Sequence, residues 1–177
     1  MMKSFDKVFL VDVNIQFIKK INLKEKNEFN DKINIKNNME YDEDILNIAK
    51  ESFIYSRFIN DNNLKNGDKI YYEWTKNSFD RDDKYFCIYK TNKKCNGYIL
   101  FSMENNEITI ELIAVDKNLK GKGIGHELIL KMENFAKEND IKYIKVGTQL
   151  NNIYAQNFYV GCGFKHITNH SIYHLWL

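Results

Sequence analysis

Three glycines within five residues, set between an apolar run and an amphipathic run, constrain this chain more than any other feature. Residues 108–115 read Ile-Thr-Ile-Glu-Leu-Ile-Ala-Val, and Lys120-Gly121-Lys122-Gly123-Ile124-Gly125 follows shortly after. A β-branched, apolar segment of that length predicts a buried strand. Leu128, Ile129, Met132, Phe135 and Ala136 then recur at helical spacing, which predicts an amphipathic helix over Ile124–Glu138. The glycines between them free the backbone to turn its N–H groups toward one point. The helix start adds its own unpaired N–H groups and the positive end of its dipole. The segment reads as a phosphate cradle with two lysines beside it.

Known phosphate loops differ from this one. A dinucleotide fingerprint needs Gly-x-Gly-x-x-Gly early in a βαβ unit and an acid about 20 residues later. Here the spacing is Gly-x-Gly-x-Gly, and the loop follows a predicted antiparallel hairpin. The nucleoside-triphosphate loop, with Gly-Lys followed by Ser or Thr, is absent. A ligand-free glycine turn is the remaining alternative, but helix start, lysines and glycines all favour an anion.

Composition narrows the partners. The 177 residues, 44% of them apolar, suit one globular domain with a proper core. No apolar run approaches the ~20 residues of a membrane helix, and no apolar stretch follows residues 1–7 as in a signal peptide. The expectation is therefore a cytoplasmic chain without a membrane partner. A net charge of +2 argues against a dedicated nucleic-acid binder. Cys87, Cys95 and Cys162 are odd in number and widely spaced, and the four histidines form no ligand-spaced cluster, so no metal is expected. Proline is absent, and arginine occurs only at Arg57 and Arg81. Arg57 stands out, because arginine is kept where forked, planar donors matter.

The chain reads as one mixed α/β domain over 1–177. Strands are predicted at 7–13 (with 15–21 continuing or pairing it), 85–89, 97–103, Glu107–Val115, 143–148, 164–167 and 171–177. Helices are predicted at 42–58, 69–79, Ile124–Glu138 and from the Asn151-Asn152 cap through Tyr159. Residues 22–38 read as an asparagine-rich loop, 60–68 as a break, 91–96 as a turn and 104–106 as a hairpin turn. A last strand reaching Leu177 would offer an edge to a second copy, so a homodimer is a possible assembly.

The order strand, Lys-Gly-Lys-Gly-Ile-Gly, amphipathic helix, strand, Asn152, Tyr159, Gly163-Phe164, strand resembles the GNAT family of N-acetyltransferases. That family writes its loop Arg/Gln-x-x-Gly-x-Gly/Ala. Lys120 stands where Arg or Gln is usual, Gly123 and Gly125 match, and Asn152, Ala155, Tyr159 and Gly163-Phe164 fall where the family has them. The resemblance implies a central, mostly antiparallel sheet, splayed at its middle and flanked by helices. It implies an acetyl-CoA-binding core at about 84–177 and a substrate-side part at about 1–83. The pyrophosphate of acetyl-CoA would sit on Lys120, Gly121, Lys122, Gly123, Ile124, Gly125 and His126, with Asn152 beside the cofactor. The main chain of Ile113 and Val115 would bind the pantetheine arm, and an N–H near Ile113 or Ala114 would face the thioester oxygen.

The flanks resemble one subgroup. Ser56-Arg57-Phe58, the aromatic segment with Trp74, Val146-Gly147-Thr148-Gln149 and the Tyr-His-Leu-Trp-Leu terminus are similar to enzymes that acetylate dTDP-4-amino-4,6-dideoxyhexoses, the TDP-fucosamine acetyltransferase type. This implies a small-molecule acceptor, a nucleotide-linked amino sugar.

Acetyl transfer needs the reactants held together, a neutral amine, a stabilised oxyanion and a proton for the leaving thiolate. The resemblance makes Tyr159 the acid; its other reading is a core tyrosine beside Phe158. Glu111 is the candidate base, direct or through water. Strand period places it on the face of Ile113, and its other reading is a solvent-facing glutamate. Arg57 is a candidate for bidentate phosphate binding or a helix-terminal surface arginine. Phe58, Tyr72 and Trp74 would stack on a base or sugar, or form core. No nucleophile–base pair is visible, so transfer would be direct. Cys162 is expected to pack at a helix end. Rival functions are a protein, peptide or small-amine acetyltransferase, and a CoA-binding module without catalysis.

Overall fold

The computed structural model describes residues 8–23, 31–53, 57–61 and 63–176. Expectations that fall on residues 1–7, Ser56 and Leu177 lie outside them. Seven strands, β1 (Val8–Lys20), β2 (Ile33–Asn37), β3 (Tyr85–Thr91), β4 (Lys94–Glu104), β5 (Glu107–Val115), β6 (Tyr143–Gln149) and β7 (Lys165–Leu175), form one sheet. Its order is β2-β3-β4-β5-β6-β1-β7. Only β5 and β6 run parallel. The helices are α1 (Glu43–Ser52), α2 (Arg57–Asn60), α3 (Ile70–Lys76), α4 (Ile124–Glu138) and α5 (Ile153–Gly161). The mixed, mostly antiparallel sheet flanked by helices is as expected. Among the described residues no helix is long and apolar enough to cross a membrane.

The two faces of the sheet bury separate cores. On one, Leu128, Ile129 and Met132 of α4 and Tyr159 of α5 pack on Phe17, Ile108, Ile110 and Val146. On the other, Ile45, Ile48 and Ala49 of α1 and Tyr71 of α3 pack on Phe86, Tyr98, Leu100, Leu112 and Ala114. Each fully buried Leu or Ile here contributes on the order of 2 kcal/mol of transfer energy. α1 starts where Asp42 accepts hydrogen bonds from the N–H groups of Asp44 and Ile45, at 3.1 and 3.4 Å.

β5 and β6 pair only from Glu107↔Tyr143 to Ile110↔Val146. Beyond that point the strands part, and residues 111–115 leave the edge turned toward β6 without a ladder. The same stretch holds a bulge. Leu100 faces Leu112 and Phe101 faces Ile110, so Glu111 is the extra residue.

Several predicted boundaries are corrected. The 42–58 helix ends at Ser52, because Phe53 leaves helical geometry and stacks on Tyr71 at 4.7 Å; Arg57 opens a separate turn of helix. Residues 33–37, expected as loop, are strand β2: Ile33 and Ile35 alternate with polar residues and pair with β3. The expected turn at 91–96 shrinks to Asn92-Lys93, both at positive φ, and β4 starts at Lys94. Of the two readings of 15–21, continuation holds, since β1 is one strand, whereas the two strands expected at 164–167 and 171–177 are a single strand, β7.

Candidate active site

The glycine loop leads into α4 with Gly121 and Gly123 at φ of 77° and 83°. A Cβ at either would meet nothing within 4 Å, so the demand for glycine there is conformational rather than one of space. Gly125 differs. Its Cβ would stand 3.1 and 3.2 Å from the ring of Phe158, so a small residue lets α4 and α5 close on each other. Asn152 caps α5 by accepting from the N–H of Ala155 at 3.2 Å. Lys19 donates to the carbonyl of Cys162 at 2.6 Å and pairs with Glu133, fixing the far end of α5.

A cleft of about 530 Å³ opens where β5 leaves β6. Ile113, Ala114, Val115, Lys120, Gly121, Gly123, Ile124, Gly125, His126 and Asn152, all expected at the cofactor, line it, and so do Tyr159 and Glu111. Lys122, Arg57, Phe58 and Trp74 are not in that lining. Phe53 and Tyr71, which the sequence did not single out as site residues, also line the cleft, as does Gln149 from the segment that carries the subgroup resemblance. Gln149 Nε2 lies 3.4 Å from the Tyr71 hydroxyl, to which it donates. Among the described residues no three metal-capable side chains gather.

Tyr159 is 4% exposed, packed between Phe17, Phe158 and Phe164 at centroid distances of 5.4–5.8 Å. Among the described residues no hydrogen bond reaches its hydroxyl. Burial pushes its pKa upward, and the nearby Cys162 thiol adds to the shift, so the group keeps its proton at any physiological pH. Cys162 is itself pushed up to about 11 by burial, with Lys19 opposing and Glu133 reinforcing the shift. It lies 3.6 Å from His126 Nδ1 but stays a thiol, which fits packing rather than nucleophilic attack.

The bulge overturns one expectation. Ile113 and Val115 pack with the α4/α5 core, while Leu112 and Ala114 pack with the α1/α3 core. Glu111 joins the latter side, opposite Ile113, because a bulge breaks the two-residue period. There its Oε2 accepts from Trp74 Nε1 at 3.1 Å, and its Oε1 pairs with Lys84. It is not solvent-facing, since its side chain is 9% exposed. Nothing in the sequence singled out Lys84, one lysine among many and 27 positions away.

Trp74 stacks on Tyr71 at 6.0 Å, and Phe58 meets Tyr71 edge-on at 5.8 Å. Tyr72 packs against the same core. Of these rings Tyr71 lines the cleft, whereas Trp74, Phe58 and Tyr72 do not. Arg57 lays its guanidinium 4.5 Å from the centroid of Phe58.

The profile of the Acetyltransferase (GNAT) family matches residues 43–164. The chain is 28% identical over 136 residues to the spore coat polysaccharide biosynthesis protein SpsD of Bacillus subtilis, covering 76% of this chain and 47% of that protein. It is 38% identical over 65 residues to the streptothricin acetyltransferase of Escherichia coli, 37% of each chain. The chain thus spans less than half the length of these relatives. The PaiA N-acetyltransferase of Thermoplasma acidophilum, solved in complex with coenzyme A, superposes with a TM-score of 0.63 at 20% identity, covering 79% of this chain and 99% of that one. That likeness is one of fold.

Proposed function

Because the chain belongs to the GNAT acetyltransferase family, we propose that it transfers the acetyl group of acetyl-CoA directly to the amino group of a nucleotide-linked amino sugar, of the dTDP-4-amino-4,6-dideoxyhexose type. The observation that carries the transfer reaction is the parting of β5 from β6 beside the glycine loop, with Tyr159 and Glu111 reaching the cleft from opposite faces of β5. The similarity to a spore coat polysaccharide protein supports a sugar acceptor.

In this reading the loop N–H groups and the α4 terminus hold the pyrophosphate, with Lys120 and Lys122 adding charge. The pantetheine arm takes the free backbone edge of Ile113 and Val115, and an N–H near Ile113 or Ala114 steadies the oxyanion. The amine attacks from the α3 side. As its N–C bond forms and the C–S bond breaks, the amine proton passes to Glu111 and the Tyr159 proton to the leaving sulfur. Lys84 and Trp74 each occupy one Glu111 oxygen. Each oxygen keeps a second acceptor site, which suits proton transfer through a water. A second copy would pair along β7, one of the two edge strands, and sedimentation would report the dimer.

The test is mass spectrometry of products from the purified protein, acetyl-CoA and an amine panel. The panel holds dTDP-4-amino-4,6-dideoxyhexoses, free amino sugars, polyamines and short peptides. One acetyl group gained on the dTDP-amino sugar alone is expected. Acetylated peptides or polyamines instead would keep the reaction and reject the acceptor. Tight acetyl-CoA binding without any product would favour the non-catalytic module.

A further inference from the structure

Two lines of residues leave the acceptor end of the cleft and converge. Along the sheet, Gln149 pairs with Asn14, and Asp12 lies two residues further on β1 with the register unbroken between them. Asp12 therefore shares the face of Asn14 and Gln149, the face turned toward Tyr71. Along the helices, Tyr71 meets Phe58, and Phe58 carries the Arg57 guanidinium. Helix α2, which opens with Arg57, packs on β1, which carries Asp12, so both lines end where these two elements meet, and there the Arg57 charge acts on the Asp12 carboxyl.

That place has unmet bonding capacity. Asp12 Oδ2 is buried and accepts no hydrogen bond among the described residues. Arg57 does not close onto it. Burial pushes the Asp12 carboxyl above its usual value, and the Val13 N–H, the Arg57 charge and the Leu150 N–H offset only part of that shift. A buried acceptor in this state gains from a donor brought by a ligand. Stacking on Phe58 uses the face of the Arg57 guanidinium and leaves its N–H edge for a planar or tetrahedral anion.

We propose that Asp12 and Arg57 form a two-point subsite for the glycosyl phosphate unit of the acceptor, a sugar hydroxyl donating to Asp12 and a phosphate oxygen accepting from Arg57. This rests on the nucleotide-sugar reading and adds Asp12, the element that would make the site read the sugar as well as its charge. The reacting amine then points back toward Glu111 and Ile113, and the non-reacting end lies on β1 and α2.

Calorimetric titration of the CoA-saturated protein with dTDP and with dTDP-glucose, which has no amine, tests the subsite apart from turnover. Arg57→Met is expected to weaken both ligands about tenfold or more. Asp12→Asn is expected to weaken dTDP-glucose about tenfold while leaving dTDP unchanged, because only the sugar reaches Asp12. Asp12→Ser repeats the measurement in a smaller side chain, and CoA affinity and the unfolding midpoint report the fold of every variant. The proposal is overturned if folded Asp12 variants bind dTDP-glucose like the wild type, if they lose both ligands equally, or if the wild type binds neither. Discriminating binding without acetylation of any dTDP-amino sugar would retain the subsite and reject the proposed reaction. Acetylation that both variants leave untouched would do the reverse.

Discussion

At the scale of the residue, Tyr159 carries the sharpest expectation. Its ring is fixed by three aromatic neighbours, and among the described residues its hydroxyl makes no hydrogen bond that folding depends on. Tyr159→Phe should therefore leave the unfolding midpoint and acetyl-CoA affinity close to wild type. If the hydroxyl protonates the thiolate, turnover should fall by about 10²-fold or more. Steady-state rates and acetyl-CoA titrations on the two proteins decide it; unchanged turnover removes Tyr159 from the chemistry. Tyr159 stood out in the sequence only through the family resemblance, which aligns it together with Asn152 and Gly163-Phe164. Glu111 was only half legible. Its presence on the strand could be read, but the bulge that turns it toward Trp74 and Lys84 depends on how β4 and β5 pair, which no local pattern encodes. Asp12 and Lys84 gave no local signal, because their meaning comes from partners far away in sequence.

At the scale of the element, the loop and helix at 120–138 work as one part. Gly123 occupies the N-cap position of α4 at a φ of 83°, in open space. Gly123→Ala should cost about 1–2 kcal/mol through left-handed backbone strain alone and should weaken acetyl-CoA binding by turning the loop N–H groups aside. Gly161→Ala is the counterpart. It lies in α5 at ordinary φ, with nothing within 4 Å of the added Cβ, and should stabilise by about 0.5–1 kcal/mol with no change in binding. Urea unfolding and acetyl-CoA titration of both variants check the contrast, and equal behaviour would show that the backbone of the loop is not what holds the cofactor. Elements with strong local signals, such as α4 with its apolar stripe and α5 with its asparagine cap, were readable from sequence. β2 and the Asn92-Lys93 turn were not. Asparagine and lysine at positive φ make tight hairpins without the glycine that usually announces one, and an asparagine-rich strand looks like a loop until its partner is known.

At the scale of the whole molecule, one buried carboxylate joins distant parts of the chain. The Asp61 side chain is fully buried just after α2. It accepts from His174 Nδ1 at 2.5 Å, from Trp176 Nε1 at 3.2 Å and from the N–H of Asn63 at 2.9 Å. The first two partners lie on and just beyond β7, so the end of the sheet is tied to the segment that carries Arg57 and Phe58. Burial alone would raise the Asp61 pKa; the hydrogen bonds from His174, Asn63 and Trp176, with the charge on His174, outweigh it and hold the group below 3.8. A carboxyl depressed in the folded state binds fewer protons there than when unfolded, so its contribution is present above that value and is lost as pH falls through the folded pKa. Urea unfolding across a series from neutral to below about pH 3.8 should show wild-type stability falling in the acid range. Asp61→Asn should be less stable at neutral pH and should lose less on acidification, because the titrating group is gone. It should also raise the KM for the acceptor more than that for acetyl-CoA, since the glycine loop lies outside the tied segment. Parallel stability curves for the two proteins would mean that Asp61 is not ionised in the folded protein. Equal changes in the two KM values would mean that the tie supports the fold as a whole rather than the acceptor side.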